Sequence, residues 1–248
     1  MDQNLLMRQL AEERNLRTRE RETHAKEVKD YQKIMSRFDN ISMKLVKKLQ
    51  VSVKDLNRYQ QDCIKTRLAP EIKKINLALS VLKQQSAEQI IASLGNMKVT
   101  IDKIGNERRE CEEETNSNYE MYLDIEAQED VLKQLNPEKY SEFLPQLESL
   151  RHELKQALDS ALGNIITEGN RARDLIYQYF SELDNIVRQK GYMFDFAQFN
   201  IKYNKVKDSY LKVFGQELPI SIEWTLDVSR DEELALQLAR TFETQGFQ

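Results

Sequence analysis

The sequence predicts an all-α fold: an elongated antiparallel three-helix coiled-coil bundle whose first helix is kinked at Pro70, with a short C-terminal appendage. Three observations predict this class. Of the 248 residues only 7 are Gly and 4 are Pro, too few for the frequent turns of a sandwich, a barrel or a wound α/β fold. Charged residues make up 31% and hydrophobic residues 40%, which suits long helices that bury narrow stripes. Apolar residues also recur at coiled-coil spacing.

The first helix is predicted in two parts. Residues 2–35 are highly charged, and the coiled-coil seam follows at heptad spacing: Val46, Leu49, Val53, Leu56 and Cys63. Pro70 has no N–H to donate and disfavours the α conformation of the residue before it, so a kink or break is predicted there. The seam resumes at Ile72, Ile75, Leu79 and Leu82. The first turn is predicted at Leu94-Gly95-Asn96, because Gly and Asn are typical of helix C-termini.

The second helix is predicted from Met97 to about Leu135, with Asn136-Pro137 as the second turn. Its seam begins with Ile101, Ile104, Arg108 and Cys111. Residues 110–132 contain no Lys or Arg and are strongly acidic.

The third predicted helix has the longest heptad pattern. Steps of three and four residues run through Leu144, Leu147, Arg151, Leu154, Leu158, Ala161, Ile165, Glu168, Ala172, Leu175, Tyr179, Glu182 and Ile186. Pro145 is expected near the start of this helix, where its missing N–H costs least. Gly163 and Gly169 fall inside it and indicate close packing or a bend. The helix is expected to continue past Gly191 to about residue 214.

The pattern changes at Gly215, where the appendage begins. Residues 219–228 alternate apolar and polar side chains, as a strand does, and Ser229 is placed to cap a short helix over 230–242. Three segments are therefore expected: a charged, amphipathic extension over 1–19, the three-helix domain over 20–214 and the tail over 215–248.

Charge is distributed unevenly along the chain. Residues 1–100 contain 20 Lys and Arg against 12 Asp and Glu, whereas residues 101–248 contain 17 against 29. This asymmetry indicates either a basic surface for an anionic partner or pairing of the two halves across a bundle. Charge counts leave both interpretations open.

The residues of common catalytic and metal sites are missing from the sequence. His24 and His152 lack the Glu three residues earlier that di-iron bundles use, and there is no phosphate-binding loop or nucleophile elbow. Cys63 and Cys111 lie on or near apolar seams, which is typical of buried structural cysteines. We therefore expect no enzymatic activity, no metal site and no cofactor. The net charge of −4 disfavours nucleic-acid binding.

Targeting signals are also missing. The first residues have no apolar signal segment, and no window of 18 apolar residues could cross a membrane. A cytoplasmic protein, peripheral to a membrane, is the expectation.

The layout of helices and turns resembles the BAR-domain superfamily over about residues 20–214. Within this range, the layout of single residues over 119–157 is similar to the fungal eisosome-core branch of that family, and so is a short segment of the tail. The residues concerned are Tyr119, Tyr122, Ile125, Glu129, Leu132, Leu135, Pro137, Phe143, Leu147, Glu148, Leu150, Glu153, Leu154 and Ala157, with Trp224-Thr225-Leu226-Asp227 in the tail. The resemblance implies an antiparallel homodimer that binds and curves anionic membranes. The acidic stretch 110–132 departs from the family, whose cationic surface usually draws on the second and third helices.

Lipid-binding charge is therefore expected elsewhere. The candidates on the first helix are Lys44, Lys47, Lys48, Lys54, Arg58, Lys65, Arg67, Lys73 and Lys74, and those late in the third helix are Lys202, Lys205, Lys207 and Lys212. The alternative for the same residues is an ordinary solvated helix face. Leu5, Leu6 and Leu10 could insert into a bilayer as a short amphipathic helix, or extend the coiled coil, or fray.

The tail has its own candidate partner site. Its residues are Asp231, Glu232, Glu233, Leu234 and Leu238, within a stretch that resembles a ubiquitin-interacting motif but has Gln237 where that motif has Ala. A capped helix that folds back onto the bundle explains the same residues and is the preferred interpretation.

Two functions from different classes follow from these features. The first is a dimeric helical scaffold that binds anionic membrane surfaces through a basic face. The second is a coiled-coil structural or adaptor subunit of a protein assembly, without direct lipid binding.

Overall fold

The computed structural model describes residues 3–218, 220 and 222. Within this part every regular element is helical, so the predicted all-α class is confirmed. The α-helices are α1 (Gln3–Cys63), α2 (Ala69–Val81), α3 (Ala87–Leu123), α4 (Glu126–Leu135), α5 (Pro137–Lys190) and α6 (Phe196–Phe214). A π-helical turn (Ile64–Leu68) joins α1 to α2, and 3₁₀ turns follow α2 (Leu82–Gln84) and α5 (Gly191–Met193). The arrangement as one antiparallel three-helix bundle stays a prediction.

Pro70 lies in the first turn of α2, directly after the π-helical turn Ile64–Leu68. A proline inside a helix removes one hydrogen bond, and its ring clashes with the carbonyl four residues earlier. A π-helical turn before the proline is a known way for a helix to accommodate the lost hydrogen bond and the clash. The chain therefore remains helical through Pro70, and the bend expected there stays a prediction.

The first break between long helices lies at Gln85-Ser86, and the turn predicted at Leu94-Gly95-Asn96 is wrong. Ser86 caps α3 with a reciprocal pair of hydrogen bonds: its backbone N–H donates to Oε1 of Gln89 (2.9 Å), and the N–H of Gln89 donates to Oγ of Ser86 (3.3 Å). This is a capping box, a strong helix start. Residues 94–96 lie inside α3, where Leu94 is buried.

The predicted second helix is also interrupted, at Asp124-Ile125, so that α4 is a separate helix. The turn predicted at Asn136-Pro137 is confirmed. Asn136 has an extended backbone, and its Oδ1 accepts the N–H of Lys139 at 3.0 Å. α5 begins at Pro137, earlier than predicted, and ends at Lys190.

The predicted course of the third helix toward residue 214 is partly right. A 3₁₀ turn interrupts it after Lys190, and Asp195 then caps α6 by accepting the N–H of Gln198. α6 ends at Phe214 as predicted, and Gly215 adopts the left-handed conformation (φ 69°) that glycine tolerates best. The strand-like stretch 219–228 and the tail helix predicted over 230–242 lie outside the described residues, apart from 220 and 222.

The chain divides into two compact units. Unit 1 comprises Met1–Ala69 and Glu107–Gly169. Its main core combines apolar side chains of α1, α4 and α5, and a smaller cluster surrounds the two cysteines. The main-core residues that are least exposed are Phe38, Leu45, Leu49, Leu56, Ile125, Leu132, Leu147 and Leu154.

Unit 2 comprises Pro70–Asn106 and Asn170–Gln248. Its core is rich in aromatic rings from α5 and α6: Tyr179, Phe180, Phe199, Tyr203 and Tyr210. Phe180 contacts Tyr179 edge-on with ring centroids 5.1 Å apart, and the hydroxyls of Tyr179 and Ser93 are hydrogen-bonded at 3.0 Å. Buried polar ends of aromatic residues generally require such a partner.

The predicted seams are right in period but incomplete. On α1, Leu49, Leu56 and Cys63 are buried as predicted, whereas Val46 and Val53 are only partly buried. The fully buried neighbour of Val46 is Leu45, which belongs to the heptad series Phe38, Ser42, Leu45, Leu49, Ser52, Leu56 and Cys63. The true seam therefore includes two serines, and each donates its hydroxyl hydrogen to a backbone carbonyl of its own helix.

The two glycines within α5, Gly163 and Gly169, differ in how closely other side chains approach them. A β-carbon at Gly169 would lie 2.8 Å from Cδ of Arg108, which confirms close packing there, whereas nothing lies within 4 Å of one at Gly163. We expect Gly163→Ala to raise the free energy of unfolding by about 1 kcal/mol, because alanine is the better helix former. Urea unfolding followed by circular dichroism measures this. An unchanged or lower stability would contradict the open space around Gly163.

Candidate functional site

The first-helix candidates fall into two groups in the structure. Five of them lie exposed on one side of α1 and of the π-helical turn, and we call them the basic stripe: Lys44, Lys47, Lys54, Arg58 and Lys65. At about 100° per residue these five fall within an arc of about 80°. The buried leucines Leu45, Leu49 and Leu56 are centred about 170° away. The basic stripe therefore faces away from the core of unit 1.

Among the described residues, the basic stripe has no salt bridge to the rest of the chain. None of its five side chains is hydrogen-bonded or ion-paired to a residue within the part of the chain that the structure describes. Between residues 44 and 65, Asp62 is the one acid inside its arc, beside Arg58. The stripe consequently presents nearly uncompensated positive charge to its surroundings.

The same side of α1 carries further cations toward its N-terminus: Lys26, Lys29 and Lys33, with Arg37 at the margin. All four are exposed, and Lys33 lies 3.5 Å from Oδ1 of Asp30. Sequence reasoning missed them because acids are frequent in this stretch. Their helical position could have revealed them, because Lys33 precedes Lys44 by 11 residues, or about three helical turns, and so lies on the same side of α1.

The remaining first-helix candidates are engaged or lie elsewhere. Lys48 is half-buried and donates to the carbonyl of Asp124 at 3.3 Å. Arg67 contacts carboxylate oxygens of Glu114 at 3.2 Å and Glu110 at 3.8 Å. Lys73 and Lys74 belong to unit 2, where Lys73 is exposed and Lys74 pairs with Glu71 at 2.9 Å. Lys48, Arg67 and Lys74 are thus each engaged within their own unit.

The four lysines of α6 do not share one face. By helical position, Lys202, Lys205 and Lys212 lie on one flank of the buried side of α6, and Lys207 lies on the other. Lys212 also acts on Asp102: burial raises the pKa of that carboxyl, but hydrogen bonds from Lys98 and Ser209 and the charges of Lys98 and Lys212 bring the pKa below its ordinary value. Three of the four lysines therefore share one flank of α6, and Lys207 lies apart from them.

Several acids of the stretch 110–132 are paired within unit 1. Glu114 accepts hydrogen bonds from Arg67 and from the hydroxyl of Tyr59. Glu129 is buried, at 6% exposure, and lies 2.7 Å from a guanidinium nitrogen of Arg151. Pairing between the basic and acidic parts of the sequence thus accounts for part of the charge asymmetry, whereas the five cations of the basic stripe stay unpaired among the described residues.

Both cysteines are buried, as predicted. Cys63 and Cys111 pack with Leu68 and Ile165 in unit 1. Burial raises the pKa of the Cys111 thiol to about 12, and the neighbouring Cys63 raises it as well. A thiol with this pKa is protonated at neutral pH, so it is a poor nucleophile.

The other predicted sites are covered only in part. The tail candidates Asp231, Glu232, Glu233, Leu234 and Leu238 lie outside the described residues, as do the side chains of Leu5 and Leu6. Leu10 is exposed. Within the described residues, no group of three or more His, Cys, Asp and Glu side chains could hold a metal ion.

No helix in the part of the chain that the structure describes is both long and apolar enough to span a bilayer. Comparison of the whole chain with protein-family models, with curated proteins and with solved structures finds no match.

Proposed function

We propose that the protein is a non-enzymatic helical scaffold that binds the anionic surface of a membrane peripherally, as a homodimer, through the basic stripe of α1. The observation that carries the proposal is the direction of the stripe. Its five cations point away from the core of unit 1, have no partner among the residues that the structure describes and lie along one line. The finer fold, a BAR-like antiparallel bundle kinked at Pro70, belongs to the same proposal.

The spacing of the stripe suits a flat, extended partner. Lys47 and Arg58 are 11 residues apart, as are Lys54 and Lys65. Eleven residues are close to three whole turns, so the stripe runs nearly parallel to the helix axis. From Lys44 to Lys65 it extends over about 32 Å. All five cations can therefore approach one planar surface together.

The energy scale also fits reversible membrane binding. Each Lys or Arg close to an anionic leaflet contributes about 1 kcal/mol, and the effect decays over a Debye length. Five such residues support weak binding by one chain, and a dimer gains avidity from the second copy. The curvature of the membrane and its preferred lipids are left open by this argument.

Charge reversal of the stripe tests the proposal. Lys47→Glu, Lys54→Glu and Arg58→Glu together should weaken co-sedimentation with phosphatidylserine-containing vesicles by about tenfold or more. The matched control reverses Lys202, Lys205 and Lys212, which changes the net charge by the same amount on α6. The control should bind as the unmodified chain does, high salt should release the protein, and vesicles of pure phosphatidylcholine should not bind it.

Two results would contradict the assignment. Equal loss in both variants would mean that binding follows net charge rather than the stripe. Absence of binding by the unmodified chain at low salt, where electrostatic attraction is strongest, would favour the coiled-coil adaptor of a protein assembly instead.

A further inference from the structure

The two cysteines of the chain are neighbours in the structure. The sequence contains only Cys63 and Cys111, with residues 64–110 between them. Both belong to the smaller apolar cluster of unit 1, whose other buried members are Leu68 and Ile165. A side-chain hydrogen bond joins the two thiols. The fold therefore brings both thiols of the chain to one place.

The pair joins two helices at a point where the helical backbone changes form. Cys63 is the last residue of α1 and directly precedes the π-helical turn Ile64–Leu68, whereas Cys111 lies within α3. Single π-helical turns are rare and are found frequently at functional sites. A disulfide needs its two β-carbons about 3.5–4.5 Å apart. The irregular turn beside Cys63 is where the backbone can make the small adjustment that this distance requires.

A polar group of three residues borders the thiols, and we call it the polar border: Tyr59, Arg67 and Glu114. Tyr59 packs against the cysteine cluster, and its hydroxyl donates to Glu114. Glu114 also accepts from Arg67, with 3.2 Å between Oε2 and Nη2. Burial raises the pKa of the Cys111 thiol to about 12, and the charge of Arg67 acts in the opposite direction. Glu114 thus holds the cation that favours a thiolate at Cys111.

Burial leaves each thiol with one possible disulfide partner. Cys63 is 2% and Cys111 0% exposed, so in the folded chain neither sulfur can meet a sulfur of another molecule of similar size. An oxidant of two or three heavy atoms needs only a local opening of the structure to reach them. The geometry therefore favours a bond within the chain over a bond between chains.

We propose that Cys63 and Cys111 are a redox site, which hydrogen peroxide converts into a disulfide that ties the end of α1 to α3. The thiolate of one cysteine attacks an oxygen of the peroxide, the O–O bond breaks, and the hydroxide that leaves takes up a proton to become water. The second thiol then attacks the sulfenic acid, so that the S–S bond forms, the S–O bond breaks and a second water leaves. Two thiols lose two hydrogens, and the peroxide is reduced to two waters.

The disulfide closes a loop that contains a whole segment of unit 2. Residues 64–110 lie inside the loop, and they include Pro70–Asn106, the first of the two segments of that unit. Closing a loop of this length strongly restricts the unfolded chain. The oxidised protein should therefore melt about 5–10 °C above the reduced one. The site acts as a lock on the fold that is set by oxidation.

The environment of the thiols also predicts the speed of the reaction. The thiolate is the reacting form, and the raised pKa keeps Cys111 protonated at neutral pH. Oxidation should accordingly be slow at pH 7 and become faster as the pH rises. Sustained exposure to peroxide, rather than a brief pulse, is what sets the lock.

Thiol counting on the full chain tests the site. After treatment with hydrogen peroxide, quenching and denaturation, N-ethylmaleimide should label no cysteine, whereas it labels both in the untreated chain and again after reduction with dithiothreitol. Peptide mapping should recover Cys63 linked to Cys111. The variants C63A and C111A should keep their helical circular dichroism and should show no rise in melting temperature after the same treatment.

A matched pair of variants tests the role of the polar border. E114Q removes the carboxylate that holds Arg67 and Tyr59, so it should lose its thiols about three- to tenfold faster than the unmodified chain. E113Q changes the net charge equally at the preceding residue, which is exposed, and should react at the unmodified rate. Equal rates in all three chains would show that the polar border has no part in the reaction.

Three outcomes would overturn the redox site itself. The first is a pair of intact thiols after exhaustive treatment, and the second is a disulfide between two chains on a non-reducing gel. The third is sulfinic acid at either cysteine without the linked peptide, because a thiol beside a sulfenic acid should trap it first. A disulfide that forms without raising the melting temperature would contradict the lock.

Discussion

Replacing Gly105 by alanine is expected to lower the free energy of unfolding by up to about 2 kcal/mol. A β-carbon built on Gly105 of α3 would lie 2.5 Å from Cγ2 and 3.0 Å from Cγ1 of Val213 on α6. Because Val213 is β-branched and has one strongly preferred rotamer in a helix, its methyl groups cannot turn away at low cost. Overpacking of this kind costs about 1–3 kcal/mol and outweighs the gain of about 1 kcal/mol from better helix propensity.

A second glycine of the same helix provides the control. Nothing lies within 4 Å of a β-carbon at Gly95, so Gly95→Ala should raise the free energy of unfolding by about 1 kcal/mol. The double variant Gly105→Ala/Val213→Ala should recover part of the loss, because it removes the two methyl groups in the way. Chemical denaturation followed by circular dichroism measures all three. The close approach of α3 and α6 would be contradicted if Gly105→Ala stabilised the protein as Gly95→Ala does.

Helix breaks show what the sequence could have predicted and what was overlooked. The predicted turn relied on Gly95, yet one glycine costs a helix only about 1 kcal/mol. Burial of its neighbour Leu94 is worth about as much or more. The real helix start has a local signal, Ser86 followed three residues later by Gln89, which is the pattern of a capping box. Caps are thus the better guide to helix ends in this chain.

The cores show a limit that local pattern cannot overcome. The heptad series of α5 predicted the burial of Leu147, Leu154 and Tyr179, and all three are buried. Phe180 and Leu183 lie outside that series and are equally buried. A periodic stripe identifies the face toward one neighbour, whereas the number of neighbours around a helix depends on tertiary packing.

The candidate site likewise combines a feature that helical spacing predicts with one that depends on tertiary packing. The direction of the basic stripe follows from helical spacing alone, since Lys47 and Arg58, like Lys54 and Lys65, are 11 residues or about three helical turns apart. The removal of Arg67 from the candidate set could not be predicted, because its partner Glu114 lies 47 residues away in sequence. Ion pairs of this separation exist only once the helices have packed.

Replacing Glu71 by glutamine is expected to lower the free energy of unfolding at neutral pH by about 2 kcal/mol. Glu71 is buried in unit 2, at 1% exposure. Its carboxylate oxygens lie 2.9 Å from the Nζ atoms of both Lys74 and Lys103. Glutamine keeps the shape of the side chain but removes the charge that both ammonium groups contact. Because the two lysines are about half exposed, water compensates them in part, and the loss stays below that of a fully buried ion pair.

The pH dependence of this effect distinguishes the ion pairs from simple packing. Burial alone raises the pKa of Glu71, but the hydrogen bonds and charges of Lys103 and Lys74 outweigh it and bring the pKa below the ordinary value of 4.5. A carboxyl whose pKa is lower in the folded than in the unfolded state stabilises the protein above the unfolded value, and that contribution is lost as the pH falls through the folded value. The stability difference between the unmodified chain and Glu71→Gln should therefore be constant near neutral pH and shrink below about pH 4.5. Glu113→Gln, at an exposed position of α3 without an ion pair among the described residues, should change the free energy of unfolding by less than about 0.5 kcal/mol at any pH. A Glu71→Gln deficit that persisted unchanged in acid would show that packing, rather than the two lysines, accounts for the buried carboxylate.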